Sequence, residues 1–181
     1  MTRTRAFVAL GSNAGCRCAN LRAAIDRLRF LGVVTAVSSF QATRAVPESG
    51  VAATDPDFLN AVAALETHLD PHRLLVGLLE IEAGLGRNRT VNTSGPRTID
   101  LDLLLFGNAV VNKPGLVLPH PRMHRRRFVL EPLSEIAPNA WHPGLRKTAA
   151  ELLTELVVPA SGRRGSWPPP AAGGQKTRAP D

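Results

Sequence analysis

The apolar run at residues 95–107, GPRTIDLDLLLFG, is the feature that most constrains the fold of this chain. A bounded run this rich in leucine and isoleucine predicts a buried β-strand over residues 98–106. Side chains alternate between the two faces of a strand, so Asp100 and Asp102 share one face, roughly 6.6 Å apart. The opposite face points into the core and consists of Ile99, Leu101 and Leu103. The strand is therefore half buried, and its second face bears a pair of acids.

Hydrophobic periodicity along the rest of the chain indicates an α+β fold. Strand-like segments alternate with segments at helical spacing, and Asp70 before Pro71 predicts the start of a helix. The predicted strands cover residues 5–10, 33–40, 58–67 and 98–106, and the predicted helical stretches cover 19–31, 71–86, 125–136 and 148–157. The alanine and leucine content of residues 58–67 leaves a helix open as the alternative there. This β-α-β-β-α-β order predicts a ferredoxin-like core, which is an antiparallel sheet with helices packed on it, followed by a helical C-terminal extension.

Length and composition predict one domain with a tail. The 181 residues suffice for one domain, assigned to residues 1–159. Residues 160–181 are rich in Pro, Gly and Ala and lack periodicity, which predicts a disordered tail. The sequence shows no run of transmembrane length, no signal peptide, and only two cysteines, so we expect a reduced, cytoplasmic protein without membrane association.

Basic residues cluster around the acidic pair and contribute much of the net charge of +7. Between residues 83 and 130 the only acids are Asp100 and Asp102. The same window holds the basic residues Arg87, Arg89, Arg97, Lys113, Arg122, Arg125, Arg126 and Arg127. One interpretation is a solvated basic face with an acidic pair. The other is a site for a polyanion, in which the acids hold a cation against it.

Two carboxylates on one strand face suit magnesium. Unpaired, they repel each other, whereas Mg²⁺ takes one or two carboxylates and completes its shell with water and substrate phosphate. Two such ions about 3.5–4 Å apart could clamp a transferring phosphoryl group, and arginines of the polar loop at 87–97 could bind its oxygens. The D-x-D pair alone also occurs in glycosyltransferases and in salt-bridged strands. The sequence shows no Walker-type phosphate loop.

Three further residues are candidates for contacts with a ligand. His120 lies between prolines soon after the acidic strand, a rigid setting that favours a phosphate-facing role. Phe128 is either core or part of a binding surface. Asn60 lies in an apolar strand, so its amide must find partners: it either recognises the edge of a heterocycle or ties down a loop.

Several segments together resemble one family. They are the G-S-N-x-G turn after the first strand, FLNA at 58–61, the LGRNR segment, GPRTIDLDLLLFG and LPHPRMHRRRFVLEPLSEIAP. In this order, and over residues 5–157, they are similar to the 6-hydroxymethyl-7,8-dihydropterin pyrophosphokinase family of folate synthesis. The resemblance implies transfer of pyrophosphate from ATP to the pterin hydroxymethyl group, release of AMP, and two Mg²⁺ ions.

The resemblance also implies roles for individual residues. The metal ligands would be Asp100 and Asp102, and the catalytic residues would be these two with Arg87 and Arg97. ATP contacts would come from Glu82, Arg89, Leu103, His120 and Arg126. The pterin would be bound by Thr43, Val46, Phe58, Asn60 and Phe128. One departure is Ser94, which stands where the family usually has tryptophan.

Two other classes fit parts of the pattern. A basic RNA-binding module shares the ferredoxin-like sheet, but it needs exposed aromatic residues on the central strands, and the chain has no tyrosine. A metal-dependent nuclease would also use the acidic pair and the arginines. We expect neither, and we expect a monomer without a specific nucleic-acid partner.

Overall fold

The computed structural model describes residues 2–44, 57–87 and 97–157. The strands are β1 (Thr4–Ser12), β2 (Val33–Val37), β3 (Gln41–Thr43), β4 (Phe58–Thr67), β5 (Asp100–Phe106), β6 (Val111–Lys113), β7 (Leu116–Leu118), β8 (Trp141–His142) and β9 (Lys147–Thr148). The helices are α1 (Arg17–Leu28), α2 (Pro71–Gly84), α3 (Arg127–Ile136) and α4 (Ala149–Val157). A short 3₁₀ turn, Met123–Arg125, precedes α3.

The main sheet confirms the ferredoxin-like α+β prediction. Its strand order is β2-β4-β1-β5, with β3 also paired to β4, and each of these pairings is antiparallel. β1 and β4 form the centre, in a ladder that runs from Thr4 opposite Thr67 to Ser12 opposite Leu59. β6 with β7 and β8 with β9 form two small separate ribbons.

Helices cover both faces of the sheet. On one face α1 and α2 pack against alternate residues of β1, β4 and β5, with Leu21 and Leu78 among the fully buried side chains. On the other face α3 and α4 pack around Val62 and Leu104. The C-terminal extension thus completes the core on the second face. Among the described residues, the extension covers only part of that face, and a cavity borders the end of the sheet that carries Asp100.

A local sequence signal determines where α2 begins. Asp70 caps α2, because its Oδ1 accepts hydrogen bonds from the backbone N–H groups of His72 and Arg73 at 2.9 and 3.0 Å.

The strand predicted at 33–40 is interrupted: it ends at Val37, and pairing with β4 resumes in β3. Between the two segments, Ser39 donates from its N–H and hydroxyl to Glu135 of α3, at 2.8 and 2.7 Å, so a tertiary contact interrupts the strand.

A bulge in β5 ends the alternation predicted for that strand. Phe7 lies opposite Leu105 and Val8 opposite Leu103, which leaves Leu104 as an extra residue. Before the bulge the predicted pattern holds: Leu101 and Leu103 are buried with α1 and α2, and both aspartates face the other way.

In the described part of the chain, no helix has the length and apolar character needed to cross a membrane.

Candidate active site

A cavity of ≈ 530 Å³ lies at the end of the second sheet face that the described helices leave uncovered. The predicted site residues that line it are Thr43, Phe58, Asn60, Arg87, Arg97, Asp100, Asp102, His120, Arg126 and Phe128. Strands β3, β4 and β5, the start of α3, and the segments that follow α2, precede β5 and follow β7 supply them. Residues far apart in sequence therefore meet in one pocket. Of the remaining predicted residues, Val46 and Arg89 lie outside the described residues.

Two arginines hold Asp100. Arg87 donates from Nη1 to Oδ1 of this carboxylate, and Arg97 donates from Nη1 to Oδ2 at 2.8 Å. Burial by itself would raise the pKa of Asp100, but the hydrogen bonds and charges of the two arginines outweigh burial and hold that pKa below its ordinary value. Burial likewise opposes the charge of Arg87, yet Asp100 keeps the pKa of that guanidinium raised. Asp100 is therefore a carboxylate anion at neutral pH.

Glu82 is a buried carboxylate that contacts Arg87, a residue of the pocket lining. Its side chain is 1% exposed, and Oε1 accepts hydrogen bonds from Arg87 Nη1 and from the backbone N–H of Leu101, both at 2.7 Å. The buried carboxylate thus fixes Arg87 from below and ties α2 to β5. Its contact with ATP stays a prediction, since the described residues show only these contacts inside the protein.

Leu103 also lies away from the pocket. It is 4% exposed and belongs to the hydrophobic core on the face covered by α1 and α2. Strand alternation puts its side chain opposite that of Asp102. The side chain is thus part of the core, and the predicted contact of Leu103 with ATP stays a prediction.

The Asp102 side chain is more exposed than that of Asp100, and its contacts are longer. Its side chain is 37% exposed, and its Oδ2 lies 3.5 Å from Arg126 Nη1 and 3.7 Å from His120 Nε2. The His120 N–H donates to the carbonyl of Leu104 at 2.9 Å, so the bulge of β5 anchors this histidine. Burial, aided by nearby arginines and opposed by Asp102, lowers the pKa of His120, which is therefore neutral at pH 7. Among the residues that the structure describes, the Asp102 carboxylate faces the cavity with only these long contacts.

An apolar slot with one amide lies beside the carboxylates. The rings of Phe58 and Phe128 line it, and the guanidinium of Arg126 lies 5.6 Å from the centre of the Phe128 ring. Asn60 is buried and donates from Nδ2 to the hydroxyl of Thr43 at 2.7 Å. Flat apolar walls and a fixed amide suit a flat heterocycle.

Asn13 is a site residue to which sequence analysis gave no role. It donates from its N–H to the Arg97 carbonyl at 3.0 Å, and its Oδ1 accepts from the Arg97 N–H at 2.5 Å. The backbone of Arg97 is therefore held at two points. The G-S-N turn was a signal for this residue, but only the fold shows which segment the turn contacts. Arg44, Arg122 and Arg125 also line the cavity without having been assigned.

The cavity has the charge expected for a phosphate-rich ligand. Arg44, Arg87, Arg97, Arg122, Arg125 and Arg126 line it, against Asp100 and Asp102. The described residues include no group of three or more His, Cys, Asp or Glu that could hold a metal by themselves. The two aspartates are nonetheless hard oxygen donors on one strand face, which fits Mg²⁺ that takes its other ligands from water and phosphate. Fold and pocket together define an α+β protein built to hold a polyphosphate beside a flat heterocycle.

Comparison with known proteins agrees with this class. The family model of 7,8-dihydro-6-hydroxymethylpterin-pyrophosphokinase (HPPK) matches residues 7–138. The 2-amino-4-hydroxy-6-hydroxymethyldihydropteridine pyrophosphokinase of Methylorubrum extorquens is 43% identical over 154 residues, which cover 84% of this chain and 94% of that protein. The corresponding protein of Bacillus subtilis is 44% identical over 133 residues, or 72% of this chain and 77% of the relative. The chain belongs to the HPPK family.

Solved structures share the fold. The crystal structure of an HPPK-DHPS in complex with substrates superimposes with a TM-score of 0.66 at 16% identity, covering 84% of this chain and 43% of that one. Plasmodium falciparum HPPK-DHPS with pteroate gives a TM-score of 0.67 at 15% identity, covering 86% and 42%. This chain therefore spans less than half the length of these solved chains, and it matches them in fold.

Proposed function

We infer that the cavity is where this chain carries out the reaction of its family. Pyrophosphate passes from ATP to 6-hydroxymethyl-7,8-dihydropterin in folate biosynthesis, and AMP is released. The observation that supports this site most strongly is the position of Asp100 and Asp102 between an arginine cluster and the slot formed by Phe58, Phe128 and Asn60. One pocket thus offers both a polyphosphate site and a heterocycle site.

The reaction sets a clear requirement on the site. The hydroxymethyl oxygen bonds to the β-phosphorus of ATP, the bond from that phosphorus to the oxygen bridging the α-phosphate breaks, and the hydroxyl proton is released. Little covalent chemistry is asked of the protein, so catalysis comes from alignment of the two substrates and neutralisation of charge. The pocket must therefore hold a flat ring and a phosphate chain in line.

We propose that Asp100 and Asp102 hold magnesium, with two ions expected. Their donor set fits the ion, and when bound it would neutralise phosphate charge and polarise the reacting phosphorus. Asp100 is already an anion, as a metal ligand must be. Its arginine partners would then share its oxygens with the ion or turn toward phosphate.

Basic side chains of the pocket would stabilise the negative charge of the phosphates during the transfer. We assign Arg87 and Arg97 to the charge that develops on it, because both guanidinium groups border the cavity beside the carboxylates. Arg126 and neutral His120 are assigned to ATP oxygens, since both lie next to Asp102. Arg89 stays a prediction for the same task.

The slot is assigned to the pterin. Phe58 and Phe128 would contact its flat faces, and Asn60 would bind its hydrogen-bonding edge with Thr43 in support. Val46 stays a prediction for this pocket. The expectations of a cytoplasmic protein and of a monomer also stay predictions.

A direct test is AMP formation. Purified protein with ATP, Mg²⁺ and the pterin should release AMP in equal amount with the pterin diphosphate, and omission of the pterin should abolish AMP release. A chelator should stop the reaction and added Mg²⁺ should restore it. AMP release that is independent of pterin, or cleavage of RNA under the same conditions, would contradict the proposal and favour a nuclease.

A further inference from the structure

Arg125 is a cation of the cavity lining without an assigned role. It lies on the 3₁₀ turn before α3, between His120 and Arg126, the two residues assigned to ATP oxygens. Met123 of this turn is fully buried, and the N–H groups of Arg125 and Arg126 donate to the carbonyls of Arg122 and Met123 at 3.2 and 3.1 Å. The backbone of the turn is therefore fixed, whereas the exposed Arg125 side chain needs a separate contact to hold its direction.

His124 supplies that contact. Arg125 donates from Nε to Nε2 of His124 at 3.1 Å. A neutral imidazole nitrogen that accepts a hydrogen bond carries no proton, so the proton of His124 is on Nδ1. The guanidinium uses one of its five N–H groups in this contact, and its two terminal nitrogens can still donate to an anion. Because a long side chain loses rotamer freedom when it binds, a contact that holds it beforehand favours binding.

A second histidine packs behind the first. The rings of His124 and His142 meet edge to face, with 6.2 Å between their centres and 87° between their planes. His142 is 7% exposed, and its Nδ1 accepts from the N–H of Leu145 at 3.1 Å, which fixes the ring in the β8–β9 ribbon. A chain of contacts thus runs from the C-terminal extension through both histidines to an arginine of the cavity.

The charged groups near His124 are Arg125 on its own turn and, as a titratable group, His142 on β8. Helices α3 and α4 also pack against the turn. The other charged side chains of these elements have partners elsewhere within the described ranges: Arg126 with Asp102, Arg127 with Glu131, Glu135 with Ser39, Glu151 with Thr148, and Glu155 with Lys147. Arg122 before the turn and Arg146 in the β8–β9 ribbon are exposed to solvent.

These surroundings favour the neutral form of His124. Burial, aided by the charge of Arg125, lowers the pKa of His124, and burial is the main cause that lowers the pKa of His142. The contact is therefore complete at pH 7 and above. It is lost as the pH falls through the lowered pKa of His124, because a proton on Nε2 would face the N–H of Arg125.

We propose that His124 is a positioning residue for the nucleotide: its unprotonated Nε2 directs the Arg125 guanidinium to the cavity, where this side chain binds a phosphate of ATP. Uptake of a proton by His124 releases Arg125 and weakens nucleotide binding. His142 keeps the His124 ring in place from the C-terminal extension. This inference rests on the proposed function, and it concerns the affinity for ATP rather than the transfer step.

The test compares His124→Ala, His124→Gln and the control His72→Ala with wild-type protein. His72 is an exposed histidine of α2 whose hydrogen bond to Asp70 uses only its backbone N–H. Glutamine offers an amide oxygen that can accept from Arg125, whereas alanine offers no acceptor. Thermal unfolding, the Kd of a non-hydrolysable ATP analogue with Mg²⁺, and KM and kcat for ATP are measured for each protein.

The alanine variant should lose affinity and keep its rate. At about pH 8, His124→Ala should raise Kd and KM for the nucleotide about fivefold or more with kcat within about twofold of wild type, while His124→Gln and His72→Ala should match wild type. In an Arg125→Gln background, His124→Ala should add no further loss, because its effect passes through Arg125. Between about pH 8 and about pH 5.5, wild-type protein should lose more affinity than His124→Gln; both keep His120, so the difference reports His124.

Four results would overturn the role of His124: a Kd of His124→Ala within about twofold of wild type, His124→Gln as weak as His124→Ala, additive losses in the double variant, or the same pH dependence in wild type and His124→Gln. A measurement on wild-type protein decides the case if His124→Ala does not fold. The ¹⁵N NMR signals of His124 at about pH 8 should show the proton on Nδ1, and a proton on Nε2 would refute the inference. Failure of wild-type protein to form AMP with pterin refutes the proposed function itself, whereas normal turnover with any of these results refutes only the role of His124.

Discussion

Replacing the two strand carboxylates one at a time separates their structural roles from their catalytic role. Asp100→Ala removes a partner from Arg87 and from Arg97, whose side chains are 13% and 32% exposed. Loss of a partner costs up to about 1 kcal/mol for an exposed ion pair and about 3–5 kcal/mol for a buried one. Since Asp100 lies between these limits, we expect its removal to lower the free energy of unfolding by about 2–3 kcal/mol.

Asp102→Ala should cost much less stability. Its contacts to Arg126 and His120 are 3.5 and 3.7 Å long, beyond the usual hydrogen-bond range, and the side chain is partly exposed. We expect a loss under about 1 kcal/mol. Both variants should nevertheless lose AMP formation, because each removes a proposed magnesium ligand.

The assay is urea unfolding of metal-free protein in a chelator, repeated over a pH series, with AMP formation measured separately. The arginines hold the pKa of Asp100 in the folded protein below its unfolded value. The stability that this carboxylate contributes is therefore fully present above the unfolded pKa of about 3.9 and is lost as pH falls through the lower folded pKa. The difference between wild type and Asp100→Ala should be constant from about pH 5 to 8 and should shrink below about pH 4.

Two results would refute this reasoning. Equal stability losses in the two variants, or none for Asp100→Ala, would mean that the arginine contacts of Asp100 do not form in solution. Turnover like that of wild type in either variant at ordinary Mg²⁺ would remove the magnesium assignment.

Four further predictions concern other parts of the site. Arg97→Ala should lower kcat by roughly 10²–10³ with a smaller change in ATP affinity; unchanged kcat with weaker ATP binding would indicate ground-state binding only. Asn13→Ala should lower kcat by loosening the Arg97 backbone and should add little in an Arg97→Ala background; additive losses in the double variant would exclude action through Arg97. Phe128→Ala should weaken pterin binding by the equivalent of about 1–3 kcal/mol, the range for one stacked base, and titration of the ATP-analogue complex checks this. Deletion of residues 162–181 should preserve turnover and thermal stability, which a truncated protein tests directly.

Much of the fold could be predicted because its signals are local. The alternation of acids and leucines in β5 placed Asp100 and Asp102 on one face, and Asp70 with Pro71 marked the start of α2. These signals depend on neighbours within a few residues, where strand and helix geometry leaves little choice. The bulge at Leu104 and the break before β3 were not predicted, since each depends on a partner far away in the chain.

Some features of the candidate site could likewise be predicted from the sequence, and others depend on the tertiary structure. The sequence by itself determined the chemistry: an acidic pair, an arginine-rich window and an amide within an apolar strand, in motifs that resemble one family. Only the tertiary structure decided how these groups are used. It made Glu82 the buried partner of Arg87, and it put Gly11 between Asn60 and Asp100. The physical reason is that a residue's type is fixed by the chain, whereas its charge partner and its open space depend on which strands become neighbours.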